Sequence, residues 1–514
     1  MQEARVLRDL QEVEDSATKE CKTQQAPREN RYLLDDGGMM DANLPEMYKH
    51  QKDIVAMALE KDELALFHAL GTGKTRSVIE SLRAIFNKDK KMYKTLIVGV
   101  PSVIYNWKNE ILKYSNIHES KVYVCGSGTK RAEKLQEAID RGVQIITINY
   151  EALISEKVFS VLMKWHAAIL VCDESHCVKS NAAKRSKAVL SLSVGTSKRF
   201  ILTGTPILRN MMDIFMQFKV LDHGKTFGAN YFSFRARYFV DKNAAWAGKQ
   251  KHFPLWVPRE DTKQELLDKI KRKSHVVETK DCLDLPPRVD VMEFVEMQDD
   301  QKKAYNEMRD YFMTFVSENV NNPAVAQLAV TKALRLMQIT AGHVTLDDGS
   351  VAVFGGNPKI KRLMELLEDL IPEHKVIIWT VFKQDVRSIE TELLAAKIPY
   401  VKGTGDETSL QKQQAVDTFQ KDPSVRVIIG NCRALGTGVT ITKATYSIRF
   451  SRNFNLGDEL QSAARNYRAG SEMHDKIINI NLSVKDSIDE HVAKALACKE
   501  DIGKNVIEFV KQNA

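Results

Sequence analysis

The segment Phe67-His68-Ala69-Leu70-Gly71-Thr72-Gly73-Lys74-Thr75 sets the architecture that we expect for the rest of this chain. It follows a short apolar run, Leu64 to Phe67, of the kind that forms a buried strand. After it come apolar residues that are spaced for one face of a helix, namely Val78, Ile79, Leu82 and Ile85. The pattern therefore predicts a strand, a glycine loop and a helix in succession.

The same segment has the composition of a phosphate-binding loop. Its glycines allow backbone N–H groups to turn inward around a polyphosphate, and Lys74 supplies a cation for the β- and γ-phosphates. The hydroxyl of Thr75 is suited to Mg²⁺. The complete loop pattern has glycine where this chain has His68, which points to a subclass of ATPases rather than away from ATP. We therefore predict a site for ATP and Mg²⁺ formed by Leu70, Gly71, Thr72, Gly73, Lys74 and Thr75.

Length, charge and cysteine usage narrow the class of protein. A chain of 514 residues is too long for one hydrophobic core and suits two or three domains. The net charge of +8 permits a polyanionic partner without requiring one. Seven cysteines without any C-x-x-C spacing favour reduced thiols in the cytoplasm. The sequence has no run of eighteen apolar residues and no signal-like beginning, so we expect no membrane association.

The order of apolar runs along the chain predicts two α/β domains. Residues 1–43 form a polar arm, and residues 44–222 alternate buried strands with helices, which is typical of a parallel sheet flanked by helices. Residues 223–285 lose that alternation, so we predict a helical insertion and linker there. A second α/β domain is expected over residues 286–514, with its own helical insertion at about 298–345.

A second motif follows another apolar run in the first domain. Asp173 and Glu174 come directly after the predicted strand Ala167 to Cys172, at the edge of an open α/β sheet where ligands bind. An acid in this position can hold Mg²⁺ through its water shell, and its neighbour can orient or deprotonate the attacking water. Taken alone, the pair could be a solvated turn. Because it follows a phosphate loop in the same domain, we assign the first role to Asp173 and the second to Glu174.

Three polar residues of the second α/β domain have helical spacing. Gln461, Arg465 and Arg468 lie at i, i+4 and i+7, which would place them on one face of a helix. Two arginines on one face are often a solvated charge stripe. They are also suited to act as arginine fingers, which stabilise negative charge that develops on a transferred phosphoryl group. In that case the site would be complete only when the two domains close.

These motifs, in this order, resemble the superfamily II helicase-like ATPases, and within them the Swi/Snf type. Gln51 in Met47 to Gln51 is similar to the adenine-reading amide of the family. His68 and Ala69 replace two acids in the block D-E-M-G-L-G-K-T. The other blocks of the first domain that carry the resemblance are Val100 to Ile104 with Asn106, Trp107 and Glu110; Ile146 to Glu151; Asp173 to His176 with Lys179 and Asn181; and Leu202 to Pro206 with Asn210.

The resemblance continues into the second domain and covers roughly residues 44 to 508. Thr440, Phe454 and Leu456 depart from the family pattern, in the lobe where the family touches DNA or couples it to ATP. The blocks that carry the resemblance here are Leu285 to Arg288, Leu336 to Ile339, Ala434 to Ile441, and Phe454 through Gln461, Arg465 and Arg468 to Gly470.

The resemblance implies two RecA-like lobes that close on Mg·ATP while each lobe holds the backbone of one DNA strand. Such contacts carry little base information, so we expect binding to duplex DNA without sequence preference. The implied activity is ATP-dependent translocation on double-stranded DNA by a monomer. The implied DNA contacts are Pro101, Ser102, Asn149, Tyr150, Lys179, Gly436, Thr437 and Phe454.

Two other functions stay open on the sequence alone. A true helicase would separate the DNA strands, and an ATP-gated scaffold would bind DNA with little turnover. The set of Lys74, Glu174 and Arg468 argues against the scaffold. The compact length resembles minimal bacterial or phage members of the family, so we expect a cytoplasmic protein associated with DNA.

Overall fold

We describe the protein from a computed structural model. It describes residues 46–101, 103–208, 210–244, 254–282, 285–319, 324–346, 348–435 and 439–512, all of which belong to one unit, Pro45–Ala514. The predicted polar arm, residues 1–43, lies outside the described residues.

The phosphate loop follows an inner strand of a seven-stranded parallel sheet. The sheet order is β3-β4-β2-β5-β6-β1-β9, and β2, β4 and β5 are buried along their whole length. This burial explains why these strands read as continuous apolar runs. The strands up to this point in the chain are β1 (Glu63–His68), β2 (Thr95–Gly99), β3 (Val122–Cys125), β4 (Ile145–Asn149), β5 (Ile169–Asp173), β6 (Lys198–Leu202), β7 (Phe239–Asp241), β8 (Trp256–Pro258) and β9 (Ser274–Val277).

Helices cover both faces of this sheet and complete the first lobe, by which we mean residues 46–282. Residues 223–285, predicted as a helical insertion and linker, contain helices but also supply the edge strand β9, which pairs with β1, and the antiparallel hairpin β7-β8. The helices are Lys49–Glu60, Lys74–Asp89, Val103–Tyr114, Arg131–Asp140, Glu156–Trp165, Lys184–Val194, Ile214–Asp222, Tyr231–Tyr238 and Glu260–Lys273.

The second lobe, residues 285–512, repeats this architecture around a six-stranded parallel sheet. The sheet order is β10-β17-β16-β13-β15-β14, while β11 and β12 form a separate antiparallel hairpin. Two groups of parallel strands flanked by helices confirm the predicted fold class. The strands are β10 (Arg288–Val295), β11 (His343–Thr345), β12 (Val351–Val353), β13 (Lys375–Thr380), β14 (Tyr400–Gly403), β15 (Val427–Asn431), β16 (Ala444–Arg449) and β17 (Ile477–Val484).

The helices of the second lobe begin in the helical segment that follows β10. The helices of this lobe are Asp299–Asn319, Ala324–Thr340, Pro358–Leu370, Lys383–Ala395, Ser409–Lys421, Leu456–Ala463 and Ile488–Gln512.

Of all the helices in the described part of the chain, none is both long enough and apolar enough to cross a lipid bilayer.

A small hydrophobic cluster joins the two lobes. Leu208 lies in the segment after β6 of the first lobe. It packs with Leu456 and Met337 of the second lobe. All three side chains are buried. Removal of this apolar surface from water favours an arrangement in which the carboxyl ends of the two sheets face one cleft.

One buried ion pair ties the last helix to the second sheet. The Nζ atom of Lys359 lies 2.6 Å from Oδ2 of Asp489 and donates a further hydrogen bond to the carbonyl oxygen of Phe450 at 3.3 Å. The other carboxylate oxygen of Asp489 accepts from the Thr340 hydroxyl at 2.8 Å, and Oδ2 also accepts from the Val484 N–H at 3.0 Å. Lys359 is 1% exposed, so loss of this cation would leave the Asp489 charge without its ionic partner in an apolar region.

We expect the substitution Lys359→Met to lower the free energy of unfolding by about 3–5 kcal/mol, because it breaks a buried ion pair from one side. The measurement is urea unfolding followed by circular dichroism. Lys361→Met is the matched control, since Lys361 is exposed on the same helix and should change stability by less than about 0.5 kcal/mol. Equal stability of the two variants would contradict the assignment.

Candidate active site

The phosphate loop has the strand, loop and helix geometry that its sequence predicts. Gly71 and Gly73 have φ values of +86° and +81°, a left-handed conformation that favours glycine. Lys74 begins the helix, and its Nζ atom donates to the carbonyl oxygens of His68 at 2.9 Å and Ala69 at 3.1 Å. The ammonium group is therefore held over the loop, where the loop pattern predicts the β- and γ-phosphates.

The segment with the predicted adenine-reading residue packs directly on this loop. Gln51 is 1% exposed; its Oε1 accepts from the Tyr48 N–H at 3.0 Å and its Nε2 donates to the Gly73 carbonyl oxygen at 3.4 Å. A Cβ atom on Gly73 would lie 2.4 Å from Nε2 of Gln51, so a larger residue there would displace this amide. His50 reinforces the contact through its Nε2 atom, 2.8 Å from the Thr72 carbonyl oxygen.

A histidine pair stands beside the loop: His68, at the position where the family pattern has an acid, is buried, and His275 is half-buried. The Nε2 atom of His68 and the Nδ1 atom of His275 share a hydrogen bond of 3.0 Å. Burial lowers the pKa of both imidazoles, and that of His68 falls well below its ordinary value. The pair is therefore neutral at physiological pH and links β1 to the edge strand β9. No sequence pattern pointed to His275, because β9 lies in a region predicted to be helical.

The first acid of the second motif is held at three points at the carboxyl end of β5. Oδ2 of Asp173 accepts from the Trp107 indole N–H at 2.8 Å, and Oδ1 accepts from the backbone N–H of Glu174 at 2.9 Å. The backbone carbonyl of Asp173 accepts from the Tyr150 hydroxyl at 2.7 Å. Trp107 belongs to the sequence motif that begins at Val100, but no pattern indicated that its indole reaches Asp173.

The second acid, Glu174, is buried next to the first. Oε2 of Glu174 lies 3.5 Å from the Thr203 hydroxyl and 3.3 Å from Nδ1 of His176. Burial raises the pKa of Glu174, and burial together with the neighbouring Glu174 charge raises the pKa of Asp173 to about 6. The positive charge of Lys74 opposes both shifts. Burial lowers the pKa of His176 to about 4, so this imidazole is neutral at physiological pH.

The residue types at this edge fit Mg²⁺. Two adjacent buried carboxylates with raised pKa values carry a desolvation cost that a hard cation would offset. Asp173 and the hydroxyl of Thr75, the residue after Lys74, are the oxygen donors that we predict for such an ion. Their role as ligands stays a prediction.

The two arginines of the second lobe face the phosphate loop of the first lobe. A Cβ atom on Gly71 would lie 3.1 Å from Cβ of Arg468. Arg465 is 6% exposed, and its guanidinium donates to the carbonyl oxygens of Gln461 at 2.8 Å and Val439 at 3.0 Å. Burial, with the neighbouring Arg468 charge, lowers the pKa of Arg465 to about 9, and the Glu174 carboxylate opposes that shift. The guanidinium therefore remains charged at neutral pH.

The local structure around these arginines corrects one prediction. Gln461, Arg465 and Arg468 do not share a helix face, because the helix Leu456–Ala463 ends before either arginine. The chain turns after Ala463, and the carbonyl oxygen of Arg465 accepts from the Ile441 N–H at 2.9 Å. Pairing with this neighbouring segment replaces the helical hydrogen bonds and leaves both arginines near Lys74 of the phosphate loop.

The predicted DNA contacts divide into three groups. Pro101 is exposed, and Lys179 and Phe454 line a cleft of about 920 Å³ between the lobes. Asn149 and Tyr150 are 7% and 1% exposed, so in this structure their side chains are not available to a DNA backbone, contrary to the prediction. The side chain of Asn149 instead accepts from the Ala152 N–H at 2.8 Å, and Tyr150 supports Asp173. The remaining contacts, Ser102, Gly436 and Thr437, lie outside the described residues.

Two models of known protein families match this chain, one in each lobe for most of its length. Residues 47–341 match the SNF2-related domain, and residues 358–470 match the helicase conserved C-terminal domain. The chain is 23% identical over 491 residues to the uncharacterized ATP-dependent helicase MG018 of Mycoplasma genitalium, an alignment that covers 93% of this chain and 44% of the relative. It is 23% identical over 488 residues to the TATA-binding protein-associated factor MOT1 of Saccharomyces cerevisiae, covering 84% of this chain and 24% of that protein.

A solved structure of the Sulfolobus solfataricus SWI2/SNF2 ATPase core in complex with dsDNA is also similar. It shares 22% sequence identity at a TM-score of 0.41, with coverage of 91% of this chain and 95% of that one. The chain spans less than half the length of each of the two curated relatives named above. Because the match to the SNF2-related domain alone extends over more than half of the 514 residues, the chain belongs to the SNF2-related family, the Swi/Snf-type helicase-like ATPases of superfamily II.

Proposed function

We propose that this protein is a DNA-dependent ATPase that moves along double-stranded DNA without sequence preference. The observation that carries the proposal is the position of Arg465 and Arg468, which reach from the second lobe to the phosphate loop and Glu174 of the first. A site divided between two lobes can convert nucleotide binding into lobe closure. Family membership supports ATP hydrolysis as the reaction.

The charges of the site suit a triphosphate. Three cations, Lys74, Arg465 and Arg468, stand near the two carboxylates of Asp173 and Glu174. Burial lowers the pKa of each cation, and the neighbouring cations lower the pKa of Lys74 and Arg465 further. A polyanion bound at the phosphate loop would favour the charged form of all three groups. The charges of the site therefore favour binding of a ligand with the charge of ATP.

Each residue has a proposed role in hydrolysis. Lys74 binds the β- and γ-phosphates, and the segment with Gln51 holds the adenine end of the nucleotide. Glu174 orients or deprotonates the attacking water, with Thr203 within 3.5 Å of its carboxylate. Arg465 and Arg468 stabilise the charge that develops on the transferred phosphoryl group, and Gln461 positions Arg465 through its carbonyl oxygen. Mg²⁺, held by Thr75 and Asp173, would offset the negative charge of the triphosphate.

The cleft between the lobes offers the cationic groups that a DNA backbone requires. Lys179 and Arg185 line it from the first lobe, and Arg433 and Lys499 line it from the second. Contacts of this kind with phosphates position a protein on DNA but do not read its sequence. We therefore expect lobe closure and opening to change the spacing of two groups of backbone contacts, which is the motion that translocation needs.

The substitution Lys74→Ala should abolish ATP turnover, because it removes the cation that is held over the loop carbonyls. Release of inorganic phosphate measures the effect. Lys88→Ala is the matched control, since Lys88 is exposed in the last turn of the same helix and should retain normal turnover. Turnover in Lys74→Ala comparable with the control would contradict the phosphate-loop assignment.

The substitution Arg468→Ala should slow hydrolysis about 10³-fold or more while ATP binding is preserved, as for other arginine fingers. Single-turnover hydrolysis measures the chemical step, and binding of a fluorescent ATP analogue measures affinity. Arg426→Ala provides the control, because Arg426 lies at the amino end of β15, whereas the candidate site lies toward the carboxyl ends of the strands. Normal single-turnover rates in Arg468→Ala would show that Arg468 is a structural charge.

The proposed function as a whole is tested by the nucleic acid that stimulates turnover. We expect duplex DNA to stimulate ATPase activity more than single-stranded DNA or RNA, and we expect the enzyme to displace the third strand of a triplex without separating the duplex. Phosphate release and gel assays of both substrates measure these outcomes. Duplex unwinding would select a helicase, whereas weak turnover with tight, ATP-dependent DNA binding would select a scaffold.

A further inference from the structure

We propose that Trp107 is a positioning residue: its indole N–H fixes the carboxylate of Asp173 and links it to the helix that begins beside the predicted DNA contact at Pro101. The inference rests on the proposed function and concerns regulation of the same site. The indole nitrogen donates to Oδ2 of Asp173 at 2.8 Å, and Trp107 is 0% exposed. Within the described part of the chain, this is the one side-chain hydrogen bond to that carboxylate.

The helix Val103–Tyr114 has the placement that such a link requires. Pro101, two residues before the helix begins, is exposed, whereas Ile104, Trp107 and Ile111 are buried on its inner face. The carbonyl oxygen of Ile104 accepts from the hydroxyl of Thr147 in β4 at 3.0 Å. The helix therefore contacts β4 near its first turn and Asp173 one turn later, so a displacement of the whole helix would move the indole.

A second contact supports Asp173 from the neighbouring strand. Tyr150 follows β4, and its hydroxyl donates to the Asp173 carbonyl oxygen at 2.7 Å. In the sheet, β4, β2 and β5 are adjacent, so the segments after β4 and β2 converge on the residue at the end of β5. The two bonds have different targets, because Trp107 holds the carboxylate whereas Tyr150 holds the backbone. The carboxylate is thus oriented by the indole together with the backbone N–H of Glu174, and the indole is the side-chain contact of the two.

The physical consequence concerns the metal site. A buried carboxylate that loses a hydrogen-bond donor keeps the cost of burial without that compensation. Residues that orient a metal ligand from outside commonly change metal affinity or activity by about 10–100-fold when they are removed. If DNA contact near Pro101 shifts the helix, the same bond transmits that shift to Asp173. Trp107 would then contribute to the dependence of turnover on DNA.

The experiment compares Trp107→Phe with Trp165→Phe, which is the matched control. Trp165 is buried in the same lobe at 3% exposure, but it lies at the end of the helix Glu156–Trp165, away from Asp173. The first readout is the Mg²⁺ concentration at half-maximal binding of a fluorescent, non-hydrolysable ATP analogue. The second readout is the ratio of ATPase rates with and without duplex DNA.

We expect Trp107→Phe to raise the half-saturating Mg²⁺ concentration about tenfold or more and to reduce the stimulation by DNA, whereas Trp165→Phe leaves both values near wild type. Similar values for the two variants would overturn the inference, because Trp107 would then serve only as core. A wild-type enzyme that DNA does not stimulate would reject the proposed function, while the Mg²⁺ titration would still decide the role of Trp107.

Thermal melting establishes whether each variant is folded. If Trp107→Phe does not fold, Trp107→Met is the second variant, since it fills the buried site with a flexible apolar side chain and also lacks the N–H donor. We expect it to raise the half-saturating Mg²⁺ concentration in the same direction. An unchanged Mg²⁺ dependence in folded Trp107→Met would overturn the inference.

Discussion

This structure depends on buried charges of opposite sign that compensate one another between the two lobes. Asp173 and Glu174 of the first lobe and Arg465 of the second are all nearly inaccessible to water. Each would be costly alone in an apolar environment, and each is compensated by groups of opposite sign. Because some of those groups belong to the other lobe, the energetics of the site and the arrangement of the lobes cannot be separated. A hydrophobic contact between Leu208 and Leu456 holds that arrangement without using any of the charges.

The parallel sheets explain why the charges meet. In the first lobe the functional segments lie at the carboxyl ends of strands: the phosphate loop follows β1, the acidic pair lies at the end of β5, and Thr203 follows β6. Open α/β sheets bind ligands at this edge. When the two sheets face each other, the first lobe supplies the carboxylates and the phosphate loop, and the second lobe supplies the arginines. The duplicated architecture thus yields a single composite site.

One departure from the family pattern in the first lobe, at His68, changes the hydrogen bonds beside the phosphate loop. His68 stands where the family has an acid, and the structure pairs it with His275, so a neutral hydrogen bond replaces a charge beside Lys74. This substitution adds no anion to compete for the ammonium group. It also ties the phosphate loop to β9, the strand after which the chain leaves the first sheet for the second lobe.

Much of the fold and the residue types of the site could be read from the order of the residues. Continuous apolar runs predicted the buried parallel strands, and the glycines, Lys74, Asp173 and Glu174 predicted a nucleotide site, because strand period and loop chemistry are local properties. The edge strand β9, the turn that carries Arg465 and Arg468, the burial of Tyr150 and the bond from Trp107 to Asp173 could not be read in this way. Those features join residues far apart in the chain, 66 positions in the case of Trp107 and Asp173. Tertiary packing alone decided them, since a side chain finds its partner only after strands and lobes have been brought together.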